Sequence, residues 1–423
     1  MRKPARSFLV GCAAAVLAAC ALPAAAAGAN PSTRPMVIGY ITALMTNKLD
    51  RFNPATDRML RPITVGRAPW TMAIAPGGRL AYTIGTYSNV WAVNLAAGTA
   101  RKVTGVGPYP YGAAFSAGGT TAYVITRRAL VAIDAATRQV IKRLPLTGNS
   151  TEINRLQAAP RGHLVFLINV ANGVVTEVST ATNSVVGKIT VGLCTTTAIF
   201  SPDGRRMYLS TDTGLVAVNA VTGAIEQTVP VGYDCSFGAL QAPGGGTLYA
   251  PGSDSLDRTT VTRIDVSATG LSTKWTTRAG TEGGGPPMVL SPDGSTLFVR
   301  TDFHASLTPI NTTTGKAGAP IADRINVTHL VRGRSGRYLF ASPDSPATVA
   351  VIDTVTRRLV RIFRFGDSRY FIRLVVAPGG RQVFAIVSFG PTRGWLVPIS
   401  AVTGRAGRRI FCNGQPVGMQ FAR

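Results

Sequence analysis

Ser201-Pro202-Asp203-Gly204, with Met207-Tyr208-Leu209 after it, returns as Ser291-Pro292-Asp293-Gly294 before Leu297-Phe298-Val299. Weaker copies keep the same template: Ala75-Pro76-Gly77-Gly78, Ser116-Ala117-Gly118-Gly119, Ala159-Pro160-Arg161-Gly162, Ala242-Pro243-Gly244-Gly245, Arg334-Ser335-Gly336 and Ala377-Pro378-Gly379-Gly380. Successive copies lie roughly 41 to 49 residues apart, a period that marks an array of small sheets. In each copy the Gly supplies the positive φ of a tight turn, and an apolar strand runs in and out of it.

The unit around residue 200 parses into four strands. Thr197 to Ser201 leads into the turn, Arg206 to Ser210 returns, Leu215 to Asn219 alternates apolar and polar residues, and Ile225 to Val231 runs out after Val221-Thr222-Gly223. Asp or Asn closes the third strand in unit after unit (Asn94, Asp134, Asn219, Asp265, Asn311, Asp353). There a short side chain can bind backbone N–H groups two residues on and pin a hairpin. The second strand repeats an aromatic (Tyr82, Tyr123, Phe166, Tyr208, Tyr249, Phe298, Phe384), as packing between sheets demands. Both sets read as scaffold.

Four-stranded units of about 42 residues set around an axis are the blades of a β-propeller, an all-β fold that leaves only short edges. The ends supply one more unit in two pieces. Met36 to Thr42, Lys48 to Pro54 and Leu60 to Val65 read as second, third and fourth strands lacking a first, and Val417 to Ala422 as a first strand lacking the rest. Pairing them closes the ring. The expectation is eight or nine blades, with the long unit at 252–285 the one most open to being degenerate.

The consensus resembles the YVTN-repeat β-propeller family. Val349-Ala350-Val351-Ile352-Asp353-Thr354-Val355-Thr356, Ile189-Thr190-Val191-Gly192, the Ser-Pro-Asp-Gly copies and Ala122-Tyr123-Val124-Ile125 carry the likeness. It covers nearly the whole chain after the leader and implies the fold. It brings no catalytic residues with it, because such propellers serve as surface antigens, binding proteins, lactonases and redox-enzyme subunits alike.

Residues 1–29 read as an export signal: Arg2, Lys3 and Arg6 precede the apolar stretch Phe8 to Ala19. Ala25-Ala26-Ala27 offers a cleavage site near Ala27. Leu17-Ala18-Ala19-Cys20 resembles a lipobox that would instead put a lipid on Cys20. The alanine-rich stretch after Cys20 favours free secretion, leaving 30–423 as one exported propeller domain. No later apolar run approaches the ~20 residues of a spanning helix. Losing Arg2, Lys3 and Arg6 lowers the formal charge from +25 to +22.

That charge suits an anionic cell-wall polymer or another polyanion. Its scatter through Arg101-Lys102, Lys142-Arg143, Arg205-Arg206, Arg357-Arg358 and Arg408-Arg409 fits a solvated rim better, and nucleic acid is a poor partner outside the cell. Cys194 and Cys235 stand eight residues before Pro202 and Pro243, so equivalent positions of neighbouring units hold the thiols, and an oxidising compartment invites a bridge. Cys412 is left over.

Little else carries chemistry. His163, His304 and His329 fall at different strand positions, no spacing suits a metal or cofactor, and no catalytic residue stands out. The connections between units have more character, with Tyr109 and Tyr111, Tyr233, and Tyr370 among Gly, Ser and Asn, the composition of adaptable recognition surfaces. Counting five residues back from each anchor gives the channel-side start of each first strand: Thr71, Gly112, Arg155, Thr197, Gly238, Pro287, His329 and Arg373. Arg155, His329 and Arg373 break a row of mostly small residues. They are placed to receive an anionic ligand, or to pair with Glu152 and Asp367. The reading is a monomeric, non-enzymatic scaffold that binds a protein, a glycan or an anionic polymer through this loop face. The alternative is a lactonase- or lyase-like enzyme with its site at the channel mouth.

Overall fold

The computed structural model describes residues 36–422 except 147–152, 194, 196–197, 233–237, 281–286, 303–305, 323–326, 344–345, 367–369 and 391. The export signal, Tyr233 and the pair Cys194 and Cys235 lie outside the described residues. Thirty-six strands form nine four-stranded antiparallel sheets, with no helix among the described residues. Eight sheets are continuous in sequence: blades 2 (71–102), 3 (112–145), 4 (153–190), 5 (198–229), 6 (240–278), 7 (288–322), 8 (329–364) and 9 (370–413). Blade 1 is composite. Ile38–Leu44, Lys48–Asn53 and Arg58–Thr64 are its second to fourth strands, and Gln415–Ala422 is its first, paired from Ile38↔Ala422 to Leu44↔Gln415. The ring therefore has nine blades and is closed by its C-terminal strand.

The turn that sets the repeat is tight because its side chains satisfy its backbone. Gly204 sits at φ 69° and its N–H donates to Ser201 O at 2.8 Å. Asp203 Oδ1 accepts from the Ser201 hydroxyl (2.5 Å) and from Arg205 N (3.1 Å). Those bonds stabilise the ionised carboxylate and hold Asp203 below the usual carboxylate range. The third-strand residues work as expected: Asn94, Asp134, Asn219, Asn311 and Asp353 each accept backbone N–H groups two or three residues on. Asp265 does not. Its hairpin continues to Ser267↔Gly270, and Asp265 takes Arg263 Nε at 2.9 Å instead.

Blade 6 corrects the expectation of a degenerate unit. Its surplus residues lengthen Thr259–Ser267 and Gly270–Arg278 to nine residues each without interrupting the sheet. Asp254 closes the preceding loop by accepting from Leu256 N, Arg258 N and Arg258 Nε.

The apolar core is divided rather than central: nine buried clusters each fill the space between two adjacent blades. The second-strand aromatics are their largest members, with Tyr82, Tyr123, Phe166 and Phe384 fully buried. Desolvation pushes the Tyr82 and Tyr123 hydroxyls up to about 12. At the closure, Phe52 of blade 1 meets Phe384 of blade 9 edge to face at 5.1 Å. Buried Asp50 accepts Asn413 N and Asn413 Nδ2, both at 3.0 Å, joining blade 1 to the outer strand of blade 9. Cys412 beside it is free, fully buried and packed into the same cluster.

Candidate functional site

Strand direction sorts the connections onto two faces. The Ser-Pro-Asp-Gly turns and the third-to-fourth hairpins share one face; the links between blades and the second-to-third hairpins share the other. First strands of neighbouring blades lie against each other around the axis, and each starts at the second face. The pairing register makes five of the positions counted from the sequence equivalent: Thr71↔Ile84, Gly112↔Ile125, Arg155↔Ile168, His329↔Ser342 and Arg373↔Ile386. Thr42↔Gly418 adds the ninth position, in blade 1.

Alternation along the strand fixes where these side chains go. Leu156 packs into the cluster with blade 3, so its neighbours Arg155 and Gln157 face blade 5, and Gln157 Nε2 donates to Ala198 O at 3.2 Å. Gln420 of blade 1 makes the same reach to Met72 O of blade 2 at 2.9 Å. Arg155, His329 and Arg373 thus stand one step nearer the mouth than this inter-blade row. His329 and Arg373 are on adjacent blades, and Arg155 is on the far side of the ring. All three are half-buried, and each interacts with other groups of the chain.

The nine first strands contain three arginines and one histidine but no aspartate or glutamate. The third arginine, Arg332, was missed by counting only strand starts; it lies three residues beyond His329. Burial pulls its guanidinium below the usual arginine range, and its Nη1 reaches Gly333 O at 3.5 Å. The first strands thus carry arginines and no carboxylate.

The tyrosines divide. Tyr109 is exposed at φ 53°, and its N–H donates to Tyr87 O at 2.7 Å. Tyr87, at φ 62° in the second-to-third hairpin of blade 2, is also exposed, with its ring 6.5 Å from that of Tyr109. Two non-glycine residues in left-handed conformation with open rings form a small aromatic platform. Tyr87 carried no signal in the repeat pattern. Tyr111 differs from Tyr109, being packed against the cluster between blades 3 and 4. Tyr370 begins the first strand of blade 9, and its side chain lies outside the described residues.

The histidines are dispersed. His163 is exposed in the first turn of blade 4, on the opposite face from His329, and His304 lies outside the described residues. Among the described residues no three of His, Cys, Asp and Glu are grouped as a metal site requires.

No family model matches this chain, and no curated protein matches its sequence. Solved structures do. The dihydro-heme d1 dehydrogenase NirN, in complex with DHE, is 15% identical with a TM-score of 0.57, over 90% of this chain and 74% of that one. A eukaryotic initiation factor gives a TM-score of 0.63 at 10% identity, over 92% and 98% of the two chains. AztD of Citrobacter koseri gives 0.54 at 11% identity, also over 92% and 98%. At such identities the likeness is one of fold alone.

Proposed function

We propose that this protein is an exported, non-enzymatic binding scaffold that receives an acidic group of a glycan or wall polymer at the mouth of its channel. The observation that supports the reading most is the composition of the nine first strands, which carry Arg155, Arg332 and Arg373 together with His329 and no carboxylate. A ring of low-dielectric walls lined by one sign of charge concentrates the opposite sign. The Tyr87–Tyr109 platform stands on the same face and offers apolar contact to the rest of a ligand. Guanidinium groups placed this way orient and retain an anion and supply no nucleophile, and among the described residues no cluster of carboxylate or metal-ligating groups is assembled beside His329, which is why binding is the better reading than hydrolysis.

Titration calorimetry with oligouronates and neutral oligosaccharides of matched length tests it. Acidic oligomers bind and neutral ones do not, and Arg155→Ala and Arg373→Ala each weaken binding roughly tenfold, the cost of one charge contact, with His329→Ala weakening it through a lost hydrogen bond. Equal affinity for neutral and acidic oligomers would sink the proposal.

A further inference from the structure

A recurring device ties the outer rim of four blades to the blade that follows, and the cleft between blades 2 and 3 carries a cation at the same position without it. In blades 3, 5, 6 and 8 one fourth-strand side chain reaches across to the hairpin region of the next blade. Lys142 Nζ meets Thr182 O (3.4 Å), Gln227 Nε2 meets Leu271 O (2.8 Å), Trp275 Nε1 meets Thr312 O (3.1 Å) and Arg361 Nη1 meets Gly404 O (2.9 Å). These residues are equivalent, paired with Ala132, Ala217, Arg263 and Val351. In every one of the four blades the register shifts immediately beyond that pair. A bulge at that point bends the strand and re-aims the side chain.

Arg101 holds this position in blade 2, paired with Ala92, and there the register runs on without a shift to Val93↔Ala100. Among the described residues Arg101 makes no bond to the hairpin of blade 3. A cleft of about 580 Å³ opens between the two rims, lined by Arg101, Lys102, Arg138 and Arg143 with Thr137 and Gln139. No carboxylate lines it. Arg101 pairs with Ala92 and Arg143 with Val131, and both apolar partners belong to the cluster between blades 2 and 3. The two guanidiniums therefore overhang one crevice from opposite walls. Arg143 is held by Val106 O at 3.0 Å, which leaves its other N–H groups for a ligand. Asp134, the acid of that hairpin, accepts Ala136 N, Thr137 N and the Thr137 hydroxyl on Oδ1 and does not line the cleft.

The cleft between blades 5 and 6 shows what a sealed version looks like. It measures about 210 Å³, and its cation, Arg206, is matched by Glu226 at 2.6 Å and by the carbonyls of Ser267 and Ala268. Charge that is neutralised inside the chain in that cleft is left open between blades 2 and 3.

We propose that the cleft between blades 2 and 3 binds a chain of closely spaced phosphate groups. Guanidinium forks match phosphate oxygens in pairs. Four cations without an acid repel one another, and several phosphates along one chain balance them where a single carboxylate does not. Phosphoanhydride and polyol phosphodiester chains share this chemistry, and the choice between them is set by phosphate spacing.

The test is calorimetry on the whole protein at low and physiological salt, using inorganic tripolyphosphate and poly(glycerol phosphate) as probes. Binding of at least one probe is expected, with the tighter one naming the source. Arg101→Glu, an exposed change that leaves the fold intact, weakens it ten- to a hundredfold. Arg101→Ala with Arg143→Ala weakens it at least as much. Arg358→Ala with Arg364→Ala, which removes two rim charges from blade 8, changes it less than threefold. The assignment falls if neither probe binds, or if the blade 8 pair weakens binding as much as Arg101→Glu does, which would make the attraction one of net charge alone.

Discussion

Asp50 should hold the ring closed, and its removal should be felt first at Cys412. The carboxylate is buried to 2% exposure and accepts both Asn413 N and Asn413 Nδ2 at 3.0 Å. Asn413 itself is exposed, so water satisfies its donors once the carboxylate is gone, and no orphaned group remains. The loss is then the net value of two hydrogen bonds to a charged acceptor, about 1.5 kcal/mol each at the low end, or about 3 kcal/mol for Asp50→Ala. Asp50→Asn keeps one acceptor and should lose about half of that. Cys412, next in sequence to Asn413, is fully buried, and burial, with Asp50 adding to it, pushes its thiol up to about 12. It cannot react with a thiol reagent until the outer strand of blade 9 detaches.

With Cys194 and Cys235 replaced by serine, the labelling rate of Cys412 at neutral pH reads the opening equilibrium directly. At about 1.4 kcal/mol per decade, Asp50→Ala should accelerate labelling about a hundredfold and Asp50→Asn about tenfold. The urea midpoint should fall in the same order. Unchanged Cys412 labelling in Asp50→Ala, alongside a lowered midpoint, would refute the reasoning, because Asp50 would then support the blade without securing the closure.

Glu177 is buried to 5% exposure with Oε1 unbonded, and burial raises its carboxyl above the usual range. Its native state holds the proton more tightly than the unfolded chain, so stability falls as pH rises from the unfolded carboxylate value through the folded one; Glu177→Gln should flatten that slope and gain about 1 kcal/mol at neutral pH in urea titrations. Gly223, at φ 75°, lies where a Cβ would strike the Glu177 carboxylate. Gly223→Ala should therefore destabilise, and Glu177→Ala should relieve part of the loss in a double-mutant cycle; strict additivity would show that the two do not touch. Asp293 is held down to about 2 by the Ser291 hydroxyl, with Ser295 assisting. Its contribution to stability is present above the unfolded value near ~4 and disappears as pH falls towards 2; carbon-detected NMR titration should give a midpoint near 2, and a midpoint near 4 would discount the turn.

The fold was legible because its local rules agree with one another. The Asp-Gly turn sets a register, the register places Tyr82 and its equivalents in every inter-blade cluster, and unmatched pieces at the two ends demanded a closure. The blade count was the weak point for a physical reason. Blade 6 lengthens two strands by continuing its hairpin past Asp265, and in sequence that looks the same as an interrupted unit. The channel mouth was legible to the extent that it depends on residue identity. Arg155, His329 and Arg373 are visible as departures from small residues at a countable position, whereas Arg332 was not, since no rule singled out the fourth residue of the strand.

The rim is different in kind. Arg101-Lys102 and Lys142-Arg143 are alike as sequence, yet Lys142 crosses to Thr182 and Arg101 makes no such crossing. What separates them is one bulged residue, Ile141, between Val140 and Lys142, a detail of register that composition does not encode. In a repeat protein a new site can arise without any change of residue type, when one unit drops a bulge that others keep and a side chain used as a strut in four of them is released. Inserting a residue between Ala100 and Arg101 should restore the bulge, carry Arg101 onto the carbonyls of the Thr137–Arg138 hairpin, and remove the phosphate site with every cation still present. Persistence of tripolyphosphate binding in that variant would place the affinity in net charge and not in the geometry of the cleft.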